Sequence, residues 1–201
     1  VGIGFMFAQA FHPAMKFAGP LRPQIGIRTV FNLLGPLTNP AGADHQVIGM
    51  GDPAAAEKVA RALQILGTSG AFVVYSEGGM DEISPEGSSH VYEVANGQIS
   101  ERSVSASDFG LSERKRSDLT ANTVEESIGL IRGVLEGKNS SDVEMAARTV
   151  VVMNAAAALM AVGRAQSLEQ GAGLAAESID NGKALEKLES LAALSQKLGA
   201  E

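Results

Sequence analysis

The sequence predicts an α/β protein, a central mixed, mostly parallel sheet flanked by helices. Three observations carry that expectation. A strand–helix–strand pattern occupies 45–75, a hairpin pattern occupies 88–105, and the chain beyond 120 reads as helix after helix.

The elements follow in order. The opening run VGIGFMFAQAF is apolar. Residues 3–18 are expected as a helix that stops before Gly19-Pro20. The run has no basic leader, no small-residue cleavage site after it and no initiator Met, so it reads as a helix within a longer protein rather than a signal peptide. Residues 20–44 are rich in Gly and Pro, with one short helical piece expected at about 24–34. The rest of that stretch reads as a shaped loop, and long ordered loops are often functional. HQVIGMG (45–51) is a short strand. Asp52-Pro53 supplies an N-cap and a first-turn proline for a helix reaching about Leu66, which Gly67 closes. AFVVY (71–75) is continuously apolar, the mark of a strand buried on both faces. Strand, helix and strand together give a right-handed βαβ unit and a parallel pair.

Asn96-Gly97 is the expected turn of the 88–105 hairpin. Thr123 with Glu126, and Ser141 with Glu144, have capping-box spacing. Residues 142–163 form a long, nearly uncharged helix, expected to be central and buried. Its most apolar part, 149–163, is short for a bilayer and contains Asn154. Asn181-Gly182 separates the last two helices, and the GAG at 171–173 is expected to mark close helix packing.

Composition narrows the function. The 201 residues carry a net charge of −7, which disfavours a phosphate-backbone binder. Aromatics make up 4% with no Trp, so stacking platforms for single-stranded nucleic acid are not expected. With no Cys, disulfides and thiolate metal sites are excluded.

Three constellations can carry chemistry. The first is RTVFNLLGPLTNP, Arg28 to Pro40. Gly35-Pro36 and Asn39-Pro40 read as two stiff turns; Gly35 permits close approach and Pro36 offers a flat apolar edge, together a wall for a planar ligand. A connecting loop that only fixes chain direction explains the same residues. The second pairs Arg22 with His12. A guanidinium fork matches a carboxylate, and a histidine can add a hydrogen bond. An Arg on a solvated face and a His packing a helix end explain the pair equally well. Lys16 and Arg28 read as structural charges. The third is Asp81-Glu82 in SEGGMDEIS, adjacent carboxylates in a Gly-rich loop after a buried strand, suited to a hard cation or simply a solvated acidic turn. His45 and His90 have no metal-ligand partner at useful spacing.

HPAMKFAGPLRPQIGIRTVFNLLGPLTNPA, continuing through QVIGM and MDEIS, resembles the anthranilate-site region of the anthranilate phosphoribosyltransferases. The resemblance covers essentially the whole chain. It implies the large domain shared by nucleoside phosphorylases and phosphoribosyltransferases, with 1–201 the C-terminal part of a glycosyl transferase family 3-like α/β domain, truncated at its N-terminus. It implies transfer of a phosphoribosyl group from phosphoribosyl pyrophosphate to anthranilate, the second step of tryptophan biosynthesis. Arg22 then matches the arginine that binds the anthranilate carboxylate and His12 its neighbouring site histidine, Gly35 and Pro36 wall the ring, and Asp81 and Glu82 hold Mg²⁺. Phe11-His12 departs from the two consecutive histidines that the family often has, which bears on ligand orientation. A cytoplasmic enzyme that is a homodimer at full length, with no nucleic-acid or membrane partner, is the matching expectation. The family's GTGGD-type loop and Lys-His-Gly-Asn-type segment are not found in residues 1–201, so the chain by itself is expected to be inactive. The rivals are a pyrimidine nucleoside phosphorylase, a non-enzymatic nucleic-acid binder of the same fold, and a structural or regulatory remnant. Saturable anthranilate binding separates them from the transferase.

Overall fold

The computed structural model describes residues 1–11 and 31–199. Its sheet is formed by β1 (His45–Gly49), β2 (Gly70–Ser76), β3 (Ser89–Ala95) and β4 (Gln98–Val104), in that spatial order. The strands β1 and β2 run parallel, whereas β2–β3 and β3–β4 are antiparallel. The sheet is therefore mixed and helix-flanked, as the sequence predicts. Its antiparallel share is larger than expected because the hairpin continues the same sheet alongside β2. The hairpin turn is Asn96-Gly97, with φ of 52° and 73°. Both left-handed residues are what a two-residue turn of matching twist requires.

The helices among the described residues are α1 (Ala8–Phe11), α2 (Phe31–Leu37), α3 (Pro53–Ile65), α4 (Val124–Leu135), α5 (Asp142–Ala161), α6 (Leu168–Asp180) and α7 (Lys183–Gly199). The helix expected over 3–18 begins only at Ala8. The run before it contains Gly2 and Gly4 and has no polar face, so apolar content there carries no helical period. The short helix expected at 24–34 is seen from Phe31 and continues to Leu37, through Gly35-Pro36. Pro36 lacks an N–H, and α2 ends one residue later. Thr38 donates its hydroxyl to the Leu34 carbonyl at 2.8 Å and satisfies that helix end.

Alternation along the strands splits the core between the two faces of the sheet. Phe72, Val74, Val91 and Val104 face Met153, Ala156 and Ala157 of α5 and Leu168 and Ala172 of α6. Ala71, Val73, Val94 and Ile48 face Val59 and Leu63 of α3. The layers are thus α3, sheet, then α5 with α6. Gly171 explains how α5 and α6 approach so closely: a β-carbon there would stand 3.0 Å from the Ala156 carbonyl oxygen. Gly173, its neighbour in the GAG, meets nothing within 4 Å, so one glycine of that pair performs the packing role.

By length and composition α5 is apolar enough to cross a membrane. Here it is the core helix, packed on β1, β2, α4 and α6. One face stays open, where Val151, Ala155, Leu159 and Leu174 line an apolar hollow of about 730 Å³. The expectation of full burial therefore fails on that face.

Cap geometry follows the sequence closely. Asp52 accepts from the Ala54 amide at 3.1 Å and starts α3. Ser141 and Glu144 form the reciprocal box that opens α5. At α4 the box is half made. Thr123 accepts from the Glu126 amide, but the Glu126 carboxylate takes the Asn122 amide at 2.7 Å instead of the Thr123 amide. Ser141→Ala is expected to cost about 1 kcal/mol of stability. A denaturant midpoint checks this; an unchanged midpoint refutes the cap's contribution.

Candidate active site

The parallel pair β1–β2 has its carboxyl ends at Gly49 and Ser76. Ligands of open α/β sheets bind beyond that edge, where the loops after the strands converge. Two constellations from the sequence lie there. A cavity of about 420 Å³ is lined by Met6, Phe11, Gly35, Pro36, Asn39, Pro40 and residues 46–49. Its size lies within the usual range for a small-molecule pocket. Gly35 and Pro36 face it from the last turn of α2, not from a turn as the sequence suggests. Asn39-Pro40 does form the expected turn, with the Asn39 side chain accepting from the Ala41 amide at 2.9 Å. Among the described residues a β-carbon on Gly35 meets nothing within 4 Å, so their packing does not require glycine there.

The loop leaving β2 carries Asp81 and Glu82, both solvent-accessible. The protein surrounding the Glu82 carboxyl, and then the charge of Asp81, raise its pKa above the ordinary glutamate value. Among the described residues no cluster of three or more His, Cys, Asp or Glu forms. The donor set is two carboxylates, open to solvent and mutually repelling. That suits Mg²⁺, which commonly binds through one or two carboxylates and completes its shell with waters and substrate phosphates.

Gly49 joins the two constellations, and the sequence reading missed it. It lines the cavity. A β-carbon there would fall 1.5 Å from the Asp81 carbonyl oxygen and 2.6 Å from the carbonyl carbon. Backbone therefore lies against backbone, which only glycine permits. A glycine at a strand tip is the available sequence signal.

The main chain after Glu82 is fastened on both sides. The Ser76 hydroxyl donates to the Glu82 carbonyl. Asn154 of α5 accepts from the Ile83 amide at 3.0 Å and donates to the Ile83 carbonyl at 3.1 Å. The Ser89 hydroxyl accepts from the Ser84 amide at 2.9 Å. Ser76 and Ser89 also share a hydrogen bond at 2.8 Å. Arg22, His12, Lys16 and Arg28 lie outside the described residues. His45 pairs with Asp44 at 2.8 Å, His90 stacks on Tyr75, and neither lines the cavity.

Known proteins resemble this chain in sequence and in fold. An anthranilate phosphoribosyltransferase of Roseiflexus sp. (strain RS-1) is 50% identical over 196 residues, 97% of this chain and 56% of that protein. One from Methanocorpusculum labreanum is 47% identical, covering 96% of this chain and 55% of that protein. The crystal structure of the Thermus thermophilus enzyme superposes with a TM-score of 0.85 at 38% identity, covering 94% of this chain and 55% of that one. The Saccharomyces cerevisiae enzyme in complex with 4-fluoroanthranilate gives 0.82 at 30%, with 94% and 53% covered. The same yeast enzyme in complex with PRPP and Mg gives 0.81 at 30%, with 93% and 51% covered. The chain thus spans about half the length of the relatives it matches. Its residues 1–185 match the family model described as the α/β domain of the glycosyl transferase family, and the chain belongs to that family.

Proposed function

We propose that the full-length protein is an anthranilate phosphoribosyltransferase, and that this chain supplies the anthranilate slot and the metal-binding carboxylates. The single observation that carries the reading is the contact at Gly49, which sets a pocket of suitable size directly against the Asp81-Glu82 loop. Relatives at 50% identity bear that enzyme's name. The yeast relative is seen with 4-fluoroanthranilate and with PRPP and Mg.

In the reaction the bond between the sugar C1 and pyrophosphate breaks as a bond from the anthranilate nitrogen to C1 forms. The nitrogen gives up a proton and pyrophosphate leaves. Mg²⁺, when held by Asp81 and Glu82, supplies positive charge against the leaving group. Gly35 and Pro36 hold the ring flat, so the weak aromatic amine is presented in line. Arg22 anchors its carboxylate, and His12 adds a hydrogen bond to the bound ligand. No side chain of this chain is needed as a nucleophile. We further propose that the protein is a cytoplasmic homodimer. Residues 1–201 contain no GTGGD-type or Lys-His-Gly-Asn-type segment, so the chain alone is expected to form no product.

Calorimetric titration of the full-length protein with anthranilate tests the assignment. Saturable binding is expected, weakened roughly tenfold or more in Arg22→Ala through loss of a charge-assisted bidentate pair, itself stronger than a neutral hydrogen bond. No saturable binding, or binding indifferent to Arg22→Ala, overturns it.

A further inference from the structure

Asn154 is the one polar residue in 150–161, the apolar length of the core helix. A polar side chain in such a run must find partners within the protein. Its partners are specific. The amide oxygen accepts from the Ile83 N–H at 3.0 Å. The amide nitrogen donates to the Ile83 carbonyl at 3.1 Å and to the Val150 carbonyl, one turn back, at 2.9 Å. Asn154 therefore pairs with Ile83 as a neighbouring strand would, taking its donor and its acceptor together. A primary amide offers the two groups on separate atoms of one side-chain terminus, as this pairing requires.

Ile83 directly follows Glu82 and is completely buried, so the backbone there has no solvent to bond instead. Ser76 and Ser89 fasten the residues on either side of it. The result is a loop whose carboxylates reach solvent while the main chain behind them is held at consecutive residues from β2, β3 and α5. Accessible ligands on a rigid support are what a metal site needs, because wandering carboxylates bear an ordering cost on binding.

We propose that Asn154 is a positioning residue for the Asp81-Glu82 pair: by pinning both backbone groups of Ile83 it sets the orientation in which the carboxylates bind a divalent cation. This rests on the transferase reading given above, and it names a residue that acts through the loop without touching metal or substrate.

The test uses the full-length protein with Mn²⁺ as the probe, read by the electron paramagnetic resonance of free Mn²⁺ in the presence of phosphoribosyl pyrophosphate. Asn154→Leu keeps size and helical preference but removes both hydrogen bonds. Asn154→Asp keeps an acceptor for the Ile83 amide and loses the donor. Mn²⁺ affinity is expected to fall by roughly tenfold to a hundredfold in Asn154→Leu, the range that supporting partners of metal ligands command. Asn154→Asp is expected to fall between that variant and wild type. The Ile83 amide should also lose hydrogen-exchange protection in Asn154→Leu and keep part of it in Asn154→Asp. Mn²⁺ affinity within twofold of wild type in both variants overturns the proposal, even if their melting temperatures drop, because a merely structural residue would lower stability alone. Should Asn154→Leu fail to fold, Asn154→Asp decides the question by the same twofold criterion. The control is Asp81→Asn with Glu82→Gln. If that pair of changes leaves Mn²⁺ affinity intact, the metal reading itself falls and the Asn154 proposal with it. If it abolishes binding while the Asn154 variants do not weaken it, the positioning role alone is refuted.

Discussion

Gly49→Val in the full-length protein is expected to lower kcat/KM by about 100-fold or more, with the half-saturating concentrations of anthranilate and Mg²⁺ both rising. A displacement of about 1 Å in catalytic geometry is enough for a loss of that order. The displacement here is forced. The first atom of any side chain at Gly49 would lie 1.5 Å from the Asp81 carbonyl oxygen, and backbone atoms cannot rotate aside as a lysine tip can. Either the loop bearing Asp81 retreats or the tip of β1 does. Retreat of the loop re-aims the carboxylates; retreat of β1 reshapes the cavity formed with Gly35 and Pro36. Overpacking of this kind also costs about 1–3 kcal/mol of stability. Gly49→Ala therefore belongs in the same experiment, since it introduces the clash with the least bulk. Steady-state kinetics beside thermal unfolding separate the effects. Activity within threefold of wild type in both variants would show that the contact does not couple the two parts of the site.

Gly49 also marks the limit of what the sequence reveals. Elements written in local code were legible: Asp52-Pro53 opens α3, Asn96-Gly97 turns the hairpin, Asn181-Gly182 parts α6 from α7, and continuous apolar residues make β2 a buried strand. Each depends on residues within a turn of one another. The errors arose where composition stood in for periodicity. The run at 1–11 is apolar without a helical stripe, and only Ala8–Phe11 is helical. Gly35-Pro36 looks like a turn, yet α2 carries both residues in its last turn and ends one residue after the proline, whose missing N–H and ring oppose further helix. The candidate site shows the same division. Asp81, Glu82, Gly35 and Pro36 are visible in the sequence as candidates, each with an ordinary structural reading beside it, and it is the family resemblance, not residue type, that favours the site reading. The joint at Gly49 and the brace at Asn154 exist only through contacts made across the fold, the latter over 71 positions of sequence. A strand-tip glycine and a lone amide in an apolar helix are visible as anomalies, but their partners are not.

Neutralising the carboxylate pair produces the second large effect, and its signature differs from that of Gly49. Asp81→Asn with Glu82→Gln is expected to raise the Mg²⁺ requirement of the full-length protein by at least about 100-fold, beyond the upper end of what supporting residues command, because on the proposed reading the ligands themselves are lost. Stability should not fall with activity. Both side chains reach solvent, so the substitutions leave no cavity. The Glu82 anion is disfavoured by its surroundings and by the adjacent negative charge of Asp81. Removing both charges relieves that repulsion, so the melting temperature without metal should hold or rise while Mg²⁺ ceases to raise it further, as linkage requires when a ligand no longer binds the folded state. A strained or misfolded variant would instead lose stability and activity together. Kinetics over a Mg²⁺ series, paired with melting curves over the same series, distinguish these outcomes. An unchanged Mg²⁺ dependence would remove the pair from the metal site. A large fall in melting temperature would mean that Asp81 and Glu82 stabilise the loop, and the open, repelling pair that suits a hard cation would need another explanation.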